Sequence, residues 1–411
     1  MSAGLRREAL RPWLALIGIG EDGVEGLTSA ARLLVGGATL VVGGARHLGL
    51  ADALIRGERL VWPSPMQDAY PAILDRAGQD VAVLASGDPF CYGVGSALGA
   101  LVPAAEIICL PAPSAFSLAC ARLGWALQDV TTLSFCGRKL EAVIPLLQPR
   151  ARLLALSADA TTPAALAALL ARRGFGPSVL HVLEALGGSR ERVRSCSAAD
   201  GVPVDVDPLN TVAVELVAGP DAVVLPLAAG LPNEMFDNDG QLTKQEVRAV
   251  TLSALAPRAG ETLWDVGTGS GSVAIEWCLR GRHARAFAIE ARPERAARAG
   301  RNALALGAVA REVVVGEAPG ALSRLPPPDA AFIGGGLQRP GVLDVVWGAL
   351  RPGGRLVANA IALDTHSLLF DAQARLGGTL TRLAVERLDH IGAMRAFRPA
   401  MPVVQWAVVK R

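Results

Sequence analysis

Short β-rich runs and Ala/Leu-rich helical stretches alternate along almost the whole chain, and this alternation limits what the chain can fold into more than any other feature. A strand, a helix and a further strand pack with the helix across one sheet face, so a long series builds layered α/β sheets, largely parallel. Predicted strands run over 14–19, 39–42, 81–85, 106–110, 152–156, 179–183 and 211–217. The alternation pauses over 218–233, where Gly219, Pro220, Pro226, Gly230 and Pro232 punctuate a stretch without a period. A second series follows over 262–266, 286–290, 312–315, 330–333, 355–359 and 403–409. At 411 residues the chain exceeds one ordinary core, and two different domains are expected, over 1–220 and 231–411.

Composition narrows the class. The net charge is +2 and Lys139, Lys244 and Lys410 are the only lysines, which argues against a general nucleic-acid binder with its basic excess. No uninterrupted apolar run reaches the ~18 residues that a membrane span needs. The basic stretch 1–11 leads into a short apolar segment ending in Gly and acids, unlike a secretory leader, so a soluble cytoplasmic protein is expected. Cys91, Cys109, Cys120, Cys136, Cys196 and Cys278 are widely spaced without a C-x-x-C pair, and the five histidines show no ligand spacing. No metal site is expected, and His390 is the one histidine with any claim to a catalytic role.

The segment 262–272 reads as a strand, an acid and three alternating glycines leading into a helix. Gly267, Gly269 and Gly271, with Thr268 and Ser270 between them, let the backbone turn sharply at a strand's carboxyl end, where open α/β sheets bind ligands. A dinucleotide fingerprint would want its third glycine at Ser272. Asp265 suits a cofactor with an ammonium group and no pyrophosphate. Glu290, about 25 residues further on at the end of the next strand, suits the two hydroxyls of a ribose.

These residues resemble motifs I and II of the Rossmann-like methyltransferases. Thr243-Lys244-Gln245-Glu246-Val247-Arg248, Gly316-Glu317-Ala318-Pro319 and Ile333-Gly334-Gly335-Gly336 resemble the T-K-x-E-V-R, G-E-A-P and I-G-G motifs of the decarboxylating precorrin methyltransferase family. The resemblance implies S-adenosylmethionine as cofactor, with Thr243, Glu317 and Ala318 beside it and Gly334 and Gly335 facing substrate. Thr243 and Glu246 also read as a capping box at a helix start. The family's I-G-G-S-G-G is shortened here, ending at Leu337.

In the first half, Gly18, Gly20 and Gly23 form a literal G-x-G-x-x-G after a strand. Strand 39–42 lacks the acid that an adenosine ribose needs, and Glu21 and Asp22 would repel a pyrophosphate, which disfavours a dinucleotide. With Gly87-Asp88-Pro89 through Gly93, and with Pro111 through Ser114 and Ala115, this loop resembles the motifs of the tetrapyrrole methylase family. That family folds as two α/β lobes with the cofactor between them. The resemblance places Gly18 and Gly20 towards a macrocycle, and Gly87, Asp88, Gly93, Ser114 and Ala115 towards S-adenosylmethionine. Asp88 also reads as a cap for a helix near 93–101.

A two-lobed tetrapyrrole methylase domain before a Rossmann-like methyltransferase domain implies methylation of a precorrin macrocycle at carbons 5 and 15, with loss of the ring-C acetate carboxyl. The first domain would take carbon 5 and the second carbon 15 with the decarboxylation. The family also implies a homo-oligomer. Arg138, Lys139, Lys244, Arg248, Arg395 and Arg398 are the candidates for holding acetate and propionate arms, with the reacting acetate near Gly334 and Asn359. No catalytic acid or base is identified. The rival readings are a methyltransferase acting on RNA and a non-catalytic ligand-binding protein.

Overall fold

The computed structural model describes residues 11–411, so most of the basic stretch 1–11 lies outside the described residues. Two compact units emerge. One runs through Leu140 and resumes over Pro149–Val223, and the other takes Val224–Arg411 together with Glu141–Gln148.

The first unit opens with a parallel sheet of β1 (Leu14–Ile19), β2 (Leu40–Gly43), β3 (Glu58–Val61), β4 (Val81–Ser86) and β5 (Ile107–Leu110), in the order β3-β2-β4-β1-β5. Every residue of β1 is buried. Successive side chains point to opposite faces. Leu14 and Leu16 therefore join Val42 and Val83 in one layer, while Ala15 and Ile17 join Val41 and Leu84 in the other. Helices over both faces explain why such strands read as unbroken apolar runs.

A second sheet follows, of β6 (Val130–Ser134), β7 (Arg152–Leu156), β8 (Val179–Glu184), β9 (Arg192–Ser197) and β10 (Asn210–Glu215), in the order β6-β7-β10-β8-β9. Here the expectation of largely parallel pairing fails: only β6 and β7 are parallel. The link from Glu184 to Arg192 is too short for the dozen or more residues of a parallel crossover, so β9 turns back on β8 as a hairpin.

The second unit is built on β11 (Thr262–Val266), β12 (Arg285–Glu290), β13 (Arg311–Val315), β14 (Ala330–Ile333), β15 (Arg355–Ala360), β16 (Thr379–Leu383) and β19 (Val403–Val409), with β17 (Glu386–Ile391) and β18 (Met394–Pro399) forming a separate, largely exposed hairpin. The order is β13-β12-β11-β14-β15-β19-β16, parallel as far as β15 and antiparallel at β19 and β16. β11 lies between β12 and β14, at the point where successive strands depart in opposite directions and such sheets open a ligand crevice.

A buried ion pair anchors the start of this unit. Glu276, in the helix Ser272–Arg280, accepts the N–H groups of Gly230 (2.7 Å) and Leu231 (2.8 Å) and pairs with Arg248 Nε at 2.5 Å. Both side chains are fully enclosed.

Candidate active sites

In the second unit the glycine turn sits at the carboxyl end of β11. Gly267, Gly269 and Gly271 all have left-handed φ, of 72°, 59° and 83°. Close approach adds to the need for glycine: a Cβ on Gly267 would lie 2.8 Å from the backbone of Gly335. The N–H groups of Gly334 (3.0 Å) and Gly335 (3.3 Å) donate to Val266 O, so this loop and the glycine turn meet. A Cβ on Gly269 would fall 3.3 Å from Gln241 O, which brings the strand of chain leading to Thr243 alongside.

Two carboxylates organise the turn. Asp265 is 1% exposed. Its Oδ2 accepts Thr268 Oγ1 (2.6 Å) and the Ala274 N–H (3.0 Å), while Oδ1 is enclosed without a partner. Burial pushes its pKa up to about 6, with a smaller upward push from the charge of Glu290. Glu290 accepts the Gly269 N–H on Oε2 (2.9 Å) and the Arg292 N–H on Oε1 (3.0 Å). Each carboxylate oxygen has room for a further donor. Ser270 Oγ is likewise buried without a partner. An unpaired anionic oxygen, an unpaired hydroxyl and a carboxylate with spare lone pairs along one turn fit the ammonium and ribose of S-adenosylmethionine.

The other predicted residues divide. Gly316 N–H donates to Glu290 O at 2.9 Å, which sets Glu317 and Ala318 beside the end of β12. The exposed Glu317 side chain pairs with Arg339, and Ala318 is buried in the core. Asn359 donates to Thr251 Oγ1 (2.9 Å) and accepts from Gln405 Nε2 (2.9 Å), so its amide is fixed. Lys244, Arg395 and Arg398 are exposed, and Arg398 pairs with Asp389 at 2.7 Å. Arg248 does not hold a substrate arm: its guanidinium is spent on Glu276, Thr243 O and Leu231 O, beneath the surface. The capping box is also absent. Lys244 is the N-cap of the helix Gln245–Leu255, no side chain caps it, and Glu246 pairs with Arg387 instead.

Sequence reasoning missed Asn302, whose amide donates to Ser270 O and Asp237 O, both at 2.8 Å, and so pins the glycine turn. A polar residue on the buried Ala299, Ala303 and Leu306 stripe of its helix was the available signal.

In the first unit three loops converge at the carboxyl end of the parallel sheet. A Cβ on Gly18 would lie 1.9 Å from Gly87 O and 2.4 Å from Ala112 N, and one on Gly87 would lie 2.8 Å from Pro113 O. Gly18 is buried, so it acts by letting these backbones cross and not as a face towards substrate; Gly20 is partly exposed. Asp88 Oδ1 accepts the Phe90 N–H (2.8 Å) within its own turn. It caps no helix, since the helix Gly95–Leu98 starts after Val94 without a side-chain cap. Ser114 caps the helix Ala115–Leu123 by accepting the Ser117 N–H at 3.2 Å. Gly93 packs against Pro89 O. Arg138 lies over the Tyr92 ring at 4.9 Å, and Lys139 is exposed beside it.

A Rossmann-like sheet with an acid-flanked glycine turn, preceded by a two-sheet unit with three converging loops, defines a two-part methyltransferase. Residues 14–200 match the model of the tetrapyrrole (corrin/porphyrin) methylases, and residues 234–410 match that of the precorrin methyltransferase domain. The chain is 54% identical over 97% of its length to a decarboxylating precorrin-6Y C(5,15)-methyltransferase of Sinorhizobium sp, covering 97% of that protein. A Mycobacterium tuberculosis protein of the same description is 40% identical over 97% of the chain and 100% of its own length. The C-terminal domain of precorrin-6Y C5,15-methyltransferase from Rhodobacter capsulatus aligns with 45% of the chain and 100% of its own at 43% identity, with a TM-score of 0.43. The chain belongs to the family of decarboxylating precorrin-6Y C(5,15)-methyltransferases.

Proposed function

We propose that the chain methylates precorrin-6Y at carbons 5 and 15 and removes the ring-C acetate carboxyl as carbon dioxide, giving precorrin-8 in cobalamin biosynthesis. The observation that carries this reading is 54% identity over 97% of both chains, spanning both units and both sets of loops. The carbon 15 step and the decarboxylation belong to the second unit, and the carbon 5 step to the first. No helix among the described residues is long and apolar enough to cross a membrane, in keeping with reaction in the cytoplasm. The enzyme works as a homo-oligomer.

S-adenosylmethionine supplies an electrophilic methyl group on a sulfonium. In the second unit Asp265 would take its ammonium, Glu290 would take the ribose hydroxyls, and Thr243 and the 316–318 segment would flank it. Methyl transfer is an in-line displacement, so the chain contributes alignment and exclusion of water more than acid–base chemistry. In the first unit Gly87, Asp88, Gly93, Ser114 and Ala115 line the corresponding site. Decarboxylation pushes electrons into the conjugated macrocycle. A tight arginine pair on the reacting acetate would stabilise the starting carboxylate and slow the step. Gly334, Gly335 and the amide of Asn359 would face that acetate, with Lys244, Arg395 and Arg398 for other arms in the second unit, and Arg138 and Lys139 for the arms of the macrocycle bound to the first.

The test is mass spectrometry of the purified protein incubated with labelled S-adenosylmethionine and a precorrin mixture. A gain of two methyl groups with loss of one carbon dioxide is expected. Label entering RNA, or no turnover, would overturn the reading.

A further inference from the structure

Within the first unit, a cavity of about 390 Å³ has Glu21, Arg46, Leu50, Gly188, Ser189 and Arg190 in its lining. A second, of about 410 Å³, shares Ser189 and Arg190 with it. Both volumes fall in the lower range of small-ligand sites. On the wall of the first stands one carboxylate gripped from two sides. Glu21, directly after the β1 loop glycines, pairs with Arg46 through Oε1 and lies 3.6 Å from Arg190 through Oε2. Arg46 follows β2 in the parallel sheet, whereas Arg190 comes from the β8–β9 link of the other sheet. The approach needs a glycine: a Cβ on Gly188 would sit 2.6 Å from Glu21 Cβ.

Each guanidinium is aimed by further partners. Arg46 Nη2 donates to Ser86 Oγ and to His47 Nε2, both at 2.8 Å. Accepting on Nε2 leaves the proton of a neutral imidazole on Nδ1, which is buried without a partner. Burial and the adjacent Arg46 charge hold the His47 pKa down at about 4, so the ring stays a neutral acceptor. Arg190 is steadied by Asp207, yet its side chain remains 61% exposed. Two planar donors converging on one carboxylate is the arrangement that recognises a carboxylate ligand.

We propose that Arg46 and Arg190 form a clamp for one acidic arm of the tetrapyrrole, and that Glu21 is its internal placeholder, displaced when that arm binds. The inference rests on the reading of the first unit as the carbon 5 methylase. It explains why an acid occupies the glycine loop beside a ligand rich in carboxylates: the placeholder keeps the two arginines aimed and compensated until substrate arrives. Substrate binding then exchanges one arginine–carboxylate contact for another, and Glu21 is released towards water.

Steady-state kinetics of carbon 5 methylation on the full chain tests this, with the precorrin-6Y pool as substrate, carbon 15 methylation as the internal reference, and thermal unfolding of each variant as a check on folding. Arg190→Gln is expected to raise KM for the tetrapyrrole about tenfold at little change in kcat, the loss of one charged contact. Arg190→Lys should fall between. Glu21→Gln, which keeps the shape and removes the competing charge, should lower KM about threefold or more. Unchanged KM in Arg190→Gln overturns the clamp, and a KM raised in Glu21→Gln as in Arg190→Gln overturns the placeholder. A wild-type chain that methylates carbon 15 but never carbon 5 overturns the reading of the first unit itself.

Discussion

Glu290 and Gly269 are joined by a hydrogen bond of 2.9 Å from the glycine's N–H to Oε2, so the carboxylate suited to the cofactor ribose also holds the turn that the cofactor meets. Glu290→Ala should therefore act twice. Loss of charged hydrogen bonds worth about 1.5 to 3 kcal/mol weakens S-adenosylmethionine binding to the second unit by one to a few powers of ten. Turnover at saturation should fall less than KM rises, since the ribose is remote from the migrating methyl. Calorimetry and the cofactor dependence of carbon 15 methylation check this, while carbon 5 methylation keeps its dependence.

Asp265 predicts a pH dependence. Burial raises its folded pKa to about 6 from 3.8, so the folded state holds this proton more tightly, and the group's stabilising contribution, full below about pH 4, is lost as pH rises to about 6. The stability lost across that window is about 3 kcal/mol. Asp265→Asn should then raise the thermal midpoint of cofactor-free protein more at pH 8 than at pH 5. It should also abolish binding of the ammonium. In the wild type, affinity for S-adenosylmethionine should decline below about pH 6 as the carboxylate is protonated.

Glu276→Ala strands the enclosed Arg248 and frees the N–H groups of Gly230 and Leu231. A cost of about 3 to 5 kcal/mol is expected, measurable by denaturant unfolding of the second unit's transition. Replacing both partners, Glu276→Leu with Arg248→Met, should cost less than Glu276→Ala alone, because the enclosed Arg248 charge is removed with its partner, while Arg280, 3.6 Å from Glu276, loses that carboxylate in both variants.

Gly18→Ala would force a methyl group into the backbone of Gly87 and Ala112. Loss of carbon 5 methylation with carbon 15 methylation retained is the expected product pattern by mass spectrometry. A variant with normal carbon 5 turnover would show that the three loops can move apart.

The sequence made legible those elements that both layers of a sheet enclose. The apolar runs of β1, β11 and β14 and the alternating glycines after β11 are direct consequences of burial and close approach, and they locate both sites. Strands β3, β17 and β18 carry mostly exposed side chains, and β9 has no fully buried one, so no apolar run announced them. Arg248 illustrates the limit for charged residues. A surface arginine and one enclosed by Glu276 read alike until the partner, 28 positions away, is in place. The triangle of Glu21, Arg46 and Arg190 was hidden for the same reason.

The segment Glu141–Gln148 belongs to the second unit although the first unit's chain surrounds it. Val143, Ile144 and Leu147 are buried, a Cβ on Gly307 would strike Glu141 O at 2.5 Å, and Gln148 donates to Leu225 O at 3.0 Å. During synthesis these apolar residues leave the ribosome long before the surface around Gly307 exists to cover them, and chains fold from the N-terminus as they emerge. The first unit must therefore mature around an open, sticky stretch that only the last half of translation conceals. A fragment beginning at the linker lacks that cover from the outset, so severing the two halves removes a piece of the second one.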